Sequence, residues 1–214
     1  MKKSIIALLL CVLFILAGCG GQKADGVLEE ADTAKYNLVD VSGSQMSAQI
    51  PDSWMLGENI TGTNIAVYQK SSYGTGQTNN VNAVISQQFS GKITKKMTDE
   101  LLASLNEYLD EGTKVTASGM YSYKGEPIIY IERTTKITDE MLDLMIESGA
   151  ITESQIESMG GREALLSIPE TNQILIYAVV DGNLMIYTGT FYDENSREET
   201  LDVMRIMIDT TKIS

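Results

Sequence analysis

The sequence predicts an α+β domain in which a largely antiparallel β-sheet is flanked by helices. Val81, Ala83 and Ile85 alternate with polar residues, which is the period of a half-buried strand. Asp181 and Gly182 separate two apolar runs and form a strong hairpin signal. The helical patterns stand in separate blocks rather than in strict alternation with strands, and this order favours antiparallel pairing over a parallel sheet.

The other elements follow in chain order. The first predicted strand ends at Pro51, because proline cannot donate to a strand ladder and readily starts a turn. Thr98, followed by two acidic residues, predicts the start of a helix with a leucine stripe. Ser196 and Glu199 match a capping box and predict the start of the last helix. Further strands are predicted over residues 64–70, 113–124, 127–137, 174–180 and 184–192.

The N-terminus has the pattern of a secretory signal peptide. Lys2 and Lys3 precede an apolar run over residues 5–17. A membrane-spanning helix needs about 20 apolar residues, so this run is too short to span. Residues 16–19, Leu-Ala-Gly-Cys, resemble the lipobox of bacterial lipoproteins at all four positions. The resemblance implies that residues 1–18 are removed and that Cys19 becomes the first residue and carries a diacylglyceryl group. The alternatives are a plain signal peptide or a short anchor.

Residues 19–35 are predicted to form the lipidated cysteine and a flexible tether, since they hold little apolar material and show no convincing periodicity. The folded domain is then expected over residues 36–214. The expected location is the cell membrane, with the protein lipid-anchored at Cys19 on the extracytoplasmic face. No free thiol or disulfide is expected in the mature chain, because Cys11 leaves with the signal peptide.

The order of elements resembles the PsbP-like fold family. The resemblance rests on a strand ending in SAQIPDSW, the strand NNVNAVIS, a helix, paired strands, a DG hairpin and a C-terminal helix. It covers about residues 36–213. The family includes an extrinsic photosystem subunit, a Ran-binding nuclear transport protein and many bacterial lipoproteins. The resemblance implies an antiparallel sheet flanked by helices and a protein that binds other proteins. No catalytic residue carries over.

Composition excludes several kinds of chemistry. The chain has no histidine, so Ser-His-Asp and Cys-His arrangements and the usual zinc or copper ligand sets are absent. The formal charge of −13 repels nucleic acid. We therefore predict no enzymatic activity, no cofactor, no metal site and no nucleic-acid partner. Residues 193–198 fail the pattern of a calcium-binding EF-hand loop, because Arg197 and Glu198 occupy a ligand position and the obligatory glycine position.

Residues 138–171 are predicted to be a helical insertion between two sheet strands. They contain eight acidic residues and one basic residue, Arg162. An acidic shell around a methionine-bearing apolar stripe suits an adaptable protein-binding surface. The alternative is a helical hairpin that spends its apolar face on its own domain. The predicted partner-binding residues are Met141, Met145, Met159, Asp139, Glu140, Asp143 and Glu147.

These patterns predict a lipid-anchored, non-enzymatic binding or adaptor protein that holds a protein partner near the membrane. The partner is expected to be an envelope protein, and the negative charge of the chain favours one with a basic face. The alternative is a lipoprotein that binds a small ligand or a divalent cation, with the polar loop 71–80 and neighbouring carboxylates as its site. A carboxylate-based hydrolase is a more remote alternative. Trp54 is predicted to anchor the core rather than to stack on a ligand.

Overall fold

The structure is a computed structural model that describes residues 26–57, 62–74, 77–107, 112–149 and 151–214, without the side chains of residues 106 and 107. The predicted signal peptide, the lipobox and Cys19 lie outside these residues. The strands are β1 Gly26–Leu28, β2 Leu38–Ser42, β3 Met46–Pro51, β4 Trp54–Leu56, β5 Ile65–Gln69, β6 Asn80–Gln88, β7 Thr113–Tyr123, β8 Glu126–Thr135, β9 Thr171–Val180, β10 Asn183–Phe191 and β11 Lys212–Ile213. The α-helices are α1 Lys95–Glu107, α2 Asp139–Glu147, α3 Glu153–Ser158, α4 Gly161–Leu166 and α5 Glu194–Thr210.

The strands form two sheets. The large sheet has the order β1-β7-β8-β9-β10-β6-β5-β4, and every neighbouring pair in it is antiparallel except β1 with β7. The small sheet has the order β11-β3-β2 and is antiparallel. The predicted class, α+β with a largely antiparallel sheet flanked by helices, is therefore confirmed.

The large sheet is buried on both faces by different elements. On one face, α5 and the small sheet close a core that includes Ile50, Trp54, Ile176, Tyr187 and Met204. On the other face, α1 sets its buried leucines against a second cluster of sheet residues. The members of that second cluster are Ile93, Leu102, Leu105, Ile129, Ile131, Leu175, Tyr177 and Ile186. Strands that face a core on both sides are strongly apolar, as the sequence of β9 shows.

Residues 26–35 differ from the prediction of a flexible tether. Strand β1 pairs in parallel with Tyr121–Tyr123 of β7, and Leu28 is buried. A short 3₁₀ turn over Thr33–Lys35 follows. Leu28 joins the main core, whereas Val27 is 76% exposed, so a single buried side chain anchors this strand and the sequence shows no strand periodicity around it. The partner strand lies far along the chain, and a parallel pair leaves no hairpin signal.

Two helix starts also differ from the prediction. The Oγ1 atom of Thr94 accepts a hydrogen bond from the Met97 amide, and α1 begins at Lys95, so Thr98 lies buried in its first turn. Helix α5 is capped by Asp193, whose Oδ1 atom accepts a 2.9 Å hydrogen bond from the Ser196 amide. The cap is therefore one turn earlier in both helices. Several consecutive side chains could cap either helix, and tertiary contacts select among them.

The hairpin between β9 and β10 confirms its sequence signal. Val180 pairs with Asn183, and the two residues between them, Asp181 and Gly182, have φ angles of 47° and 71°. Positive φ at both central positions gives the two-residue turn that matches the twist of antiparallel strands. No helix in the described part of the chain is both long and apolar enough to cross a membrane.

Candidate functional site

The insertion leaves the sheet and returns to it between two adjacent strands. Thr135 at the end of β8 pairs with Thr171 at the start of β9, and the Thr171 hydroxyl donates to the Thr135 carbonyl at 3.1 Å. In the described residues three short helices, α2, α3 and α4, lie between these strands, one more than a helical hairpin contains. Thr138 caps α2, and Thr152 forms a capping box with Gln155 at α3. The close ends that a peripheral insertion requires are therefore present.

The insertion has an apolar core of its own. Leu142, Ile156 and Leu165, one from each helix, form a buried cluster that is separate from the two clusters of the large sheet. Partly buried apolar residues surround it, namely Ile137, Ile146, Ile151, Leu166 and Ile168. The three helices thus bury apolar surface against one another, and the sheet clusters close without them.

The predicted apolar stripe does not form one exposed surface. Met141 is only 9% exposed, Met145 is half-buried, and Met159 is 48% exposed. The face of α2 that carries Met141 is packed against the protein interior. Met141 is therefore not available to a partner. Leu144, which the sequence analysis did not select, is 53% exposed. Helical spacing alone places Leu144 beside polar residues, but only the packing of α2 against its neighbours decides which face is free.

The predicted acidic residues of the insertion are all exposed, and they fall into two groups. Asp139 and Asp143 pair with Arg162 of α4, which also lies 3.6 Å from the Glu153 carboxylate. These pairs connect the three helices to one another. Glu140 and Glu147 have no ion pair within the described residues. The unpaired charge of α2 is therefore carried by Glu140 and Glu147.

A second surface is a polar groove of about 400 Å³ beside the N-terminus of α5. It is bounded by the end of β5, part of the loop that follows it and the first turns of α5. We call it the polar groove, and its lining residues are Gln69, Ser71, Ser72, Gln77, Asn79, Tyr192, Asp193, Asn195, Ser196 and Glu199. The structure thus brings the polar loop of the alternative prediction together with two carboxylates.

Glu199 is the centre of a hydrogen-bond network behind the polar groove. Its Oε1 atom accepts hydrogen bonds from Trp54 Nε1 at 2.9 Å and from the Ser53 hydroxyl at 3.3 Å. Its Oε2 atom accepts from Gln69 Nε2 at 2.7 Å. Trp54 is 1% exposed, which confirms that it anchors the core. A carboxylate that accepts three hydrogen bonds is fixed in position, and Glu199 thereby ties α5 to β4 and β5.

Asn79 lies at the floor of the polar groove and is 3% exposed. Its Nδ2 atom donates to Gln69 Oε1 at 2.7 Å, and its backbone amide donates to the Ser72 hydroxyl at 3.0 Å. Its Oδ1 atom is buried and has no hydrogen-bond partner among the described residues. A buried acceptor without a partner costs about 1–3 kcal/mol of folding free energy. The oxygen therefore does not stabilise the folded domain.

A half-buried ion pair holds α5 against β8. Arg197 donates through Nε and Nη2 to the two carboxylate oxygens of Glu132, both at 2.7 Å, and the Tyr130 hydroxyl donates to Glu132 Oε2 at 2.7 Å. Burial raises the pKa of the Glu132 carboxyl, but the hydrogen bonds from Arg197 and Tyr130 and the charge of Arg197 outweigh it and leave the pKa below its ordinary value. The pair is structural, because Glu132 has both oxygens occupied by protein donors.

Metal-binding clusters are not found in the described ranges: no three or more His, Cys, Asp or Glu side chains there lie close enough together to hold an ion. The two carboxylates of the polar groove, Asp193 and Glu199, accept hydrogen bonds from protein donors. The side chains that line the polar groove are therefore suited to bind a ligand through hydrogen bonds.

No protein-family model matches the sequence, and no curated protein matches it. The structure is similar to that of LpqN of Mycobacterium tuberculosis, described as involved in cell envelope biogenesis, at 10% identity and a TM-score of 0.45, over 85% of this chain and 94% of that one. It is also similar to cyanobacterial PsbP from Synechocystis, at 12% identity and a TM-score of 0.43, over 93% and 99% of the two chains. A Bacteroides thetaiotaomicron protein is 10% identical with a TM-score of 0.42 over 84% of this chain, which spans 48% of that protein's length. The identities are too low to carry any residue's role from one chain to another.

Proposed function

We propose that this protein is a non-enzymatic binding or adaptor protein, lipid-anchored at Cys19 on the extracytoplasmic face of the membrane. Its insertion, residues 138–171, binds an envelope protein with a basic face. One observation carries the proposal. The insertion is a folded unit with its own core, yet it leaves Leu144 and Met159 exposed in a segment of eight acidic residues and one basic residue.

The exposed apolar residues favour a binding role, because other residues already form the core of the insertion. Leu142, Ile156 and Leu165 are buried within it. Leu144 and Met159 therefore add apolar surface that folding does not use, and methionine adapts well to a partner. Glu140 and Glu147 supply negative charge that attracts a basic partner to the insertion.

The lipid anchor is supported by the lipobox, and β1 limits the distance between the anchor and the folded domain. The described sheet includes Gly26, which follows Cys19 by seven residues, so the chain between them reaches at most about 25 Å. The edge formed by β1 and β7 would then lie within that distance of the acyl chains. Cys19→Ser removes the sulfur that would carry the diacylglyceryl group. The variant should therefore be released from the membrane fraction, because the acyl chains provide the anchoring. A variant that lacks lipid but stays on the membrane after a salt wash would contradict the anchor.

Photo-crosslinking in intact cells tests the partner. A photoreactive residue placed at Leu144 or at Met159 should give an adduct with the same envelope protein. Leu56 provides the matched control, since it is also apolar and 44% exposed but lies on edge strand β4. Adducts of equal yield from Leu56, or different adducts from Leu144 and Met159, would contradict a binding surface on the insertion.

The charge of the insertion is tested separately. Glu140→Gln combined with Glu147→Gln should weaken capture of the crosslinked partner and flatten its salt dependence, chiefly through slower association. Asp139 and Asp143 are left unchanged, because their pairs with Arg162 hold the helices together. Glu29→Gln, an exposed change outside the insertion, is the control. Unchanged salt dependence in the double variant would show that Glu140 and Glu147 do not attract the partner.

A further inference from the structure

We infer that the polar groove is a binding site for a small, hydroxyl-rich molecule of mono- or disaccharide size that carries no negative charge. The polar groove is formed by β5, the described part of the loop after it and α5, and the inference does not depend on the insertion or on its partner. It rests on the shape of the polar groove, the chemistry of its lining and the buried oxygen of Asn79.

The lining of the polar groove matches hydroxyl groups. Gln69, Gln77, Asn79 and Asn195 carry amides, and three serines carry hydroxyls, so both donors and acceptors are present. A sugar hydroxyl also donates and accepts, and it can pair with either kind of group. The volume of about 400 Å³ lies within the range of small-molecule sites.

Asn79, which lines the polar groove, has a buried acceptor that no donor of the described residues uses. Its Nδ2 atom donates to Gln69, and this bond fixes the orientation of the amide, so that Oδ1 meets no donor within the described ranges. Gln69 is held in turn by Glu199, which is fixed by Trp54. The floor of the polar groove is therefore arranged before any ligand arrives, and a preorganised site loses less free energy on binding.

The charge of the polar groove excludes anions. The charged side chains in its lining are two carboxylates, Asp193 and Glu199, and none of its lining residues is Lys or Arg. A phosphate or carboxylate ligand would be repelled, whereas a hydroxyl or an amine would find acceptors. The ligand is therefore rich in donors and carries no negative charge.

A titration followed by amide NMR tests the assignment on the purified chain. Glucose and glucosamine are the probes, and inorganic phosphate is the anionic control. We expect at least one sugar at millimolar concentration to shift the side-chain amides of Asn79 and Gln69 and the backbone amides of Ser72 and Ser196. A larger response to glucosamine would support the same site and would show that Asp193 and Glu199 attract the amine of the ligand. No shift with either sugar, shifts outside the polar groove, or shifts there with phosphate would overturn the proposal.

Matched variants connect the binding to Asn79. Asn79→Leu should weaken binding of the responding sugar about tenfold, the effect of one ordinary hydrogen bond. Asn195→Ala changes an exposed lining residue, so it should weaken binding without disturbing the core. Asn80→Ala alters the neighbouring amide, which does not line the polar groove, and should leave affinity unchanged. Wild-type affinity in Asn195→Ala and in folded Asn79→Leu, or an equal loss in Asn80→Ala, would overturn the proposal.

Discussion

The two β-sheets with α1 and α5, called the sheet body below, bury their apolar residues differently from the insertion, residues 138–171. The sheet body joins strands from both ends of the chain, and its main core combines the large sheet, the small sheet and α5. The insertion is built from three consecutive short helices around Leu142, Ile156 and Leu165. Its stability comes from local caps and a few contacts, while that of the sheet body depends on pairings between distant segments.

Under the proposed function, this difference assigns stability to the sheets and binding to the insertion. A unit that is small, locally capped and connected at two neighbouring points can open or change without dismantling the sheet. The sheet body can therefore keep one rigid structure while the insertion carries Leu144, Met159 and the unpaired acids. The polar groove belongs to the rigid body, because Trp54 and Glu199 hold its floor.

Equivalent deletions in the two cores should give the largest contrast. Ile176 and Ile156 are both fully buried, one in β9 and the other in α3. Ile176→Ala should lower the free energy of unfolding by about 2–5 kcal/mol, since it leaves a cavity in the main core. Ile156→Ala should lower it by no more than the free energy of opening the insertion.

Urea unfolding measures the first effect, and amide hydrogen exchange measures the second. In Ile156→Ala, protection should fall in α2, α3 and α4 and persist in β8 and β9. Equal losses in global stability from the two substitutions would show that the insertion and the sheet body unfold as one unit.

The ion pair between Glu132 and Arg197 should give the next largest effect. Glu132→Gln should cost about 1–3 kcal/mol at neutral pH, because Arg197 loses the charge of its half-buried partner. The lowered pKa of Glu132 means that its contribution is complete above its unfolded pKa of about 4.3 and is lost as pH falls through the folded value. The difference between wild type and variant should therefore shrink below about pH 4.

Glu198→Gln is the matched control, since Glu198 contacts the same Arg197 but is 63% exposed. It should change the free energy of unfolding by less than about 0.5 kcal/mol. A stability difference for Glu132→Gln that stayed constant down to pH 2 would contradict the ionic account, and urea titrations across pH would reveal it.

The helix caps of the two regions offer a smaller contrast. Asp193→Ala should destabilise the whole domain by about 1 kcal/mol, because it uncaps α5, which belongs to the main core. Thr152→Ala removes the capping box of α3, and its effect should be confined to the insertion. Thermal unfolding should move with the first change only. A comparable shift in Tm from Thr152→Ala would mean that α3 supports the sheet.

Removal of the insertion should have the smallest effect on the sheet body. Replacing residues 138–170 by a short Gly/Ser turn keeps Thr171, which pairs with Thr135, and loop-closure entropy changes only slowly with loop length. The near-ultraviolet circular dichroism of Trp54 and a cooperative melt should persist, while the crosslinked partner is no longer captured. An unfolded deletion variant would show that Met141, which is buried outside the insertion's own cluster, completes the core of the sheet body.

Much of the fold could be predicted because its signals are local. The alternation in Val81, Ala83 and Ile85, and the turn at Asp181 and Gly182, depend on near neighbours in the chain, and both predictions are confirmed. The site was less predictable. The sequence marked the acidic insertion and the polar loop, but it counted Met141 as exposed and passed over Leu144.

The sequence by itself determined the strand periods, the hairpin and the negative formal charge, because each depends on residue type or short spacing. Tertiary structure alone decided that β1 joins β7, that Asp193 rather than Ser196 caps α5, and that Glu199 receives Trp54 and Gln69. These outcomes depend on which distant groups meet. The physical reason is that a buried donor or apolar side chain takes the partner that the whole fold brings to it, and no local pattern records that choice.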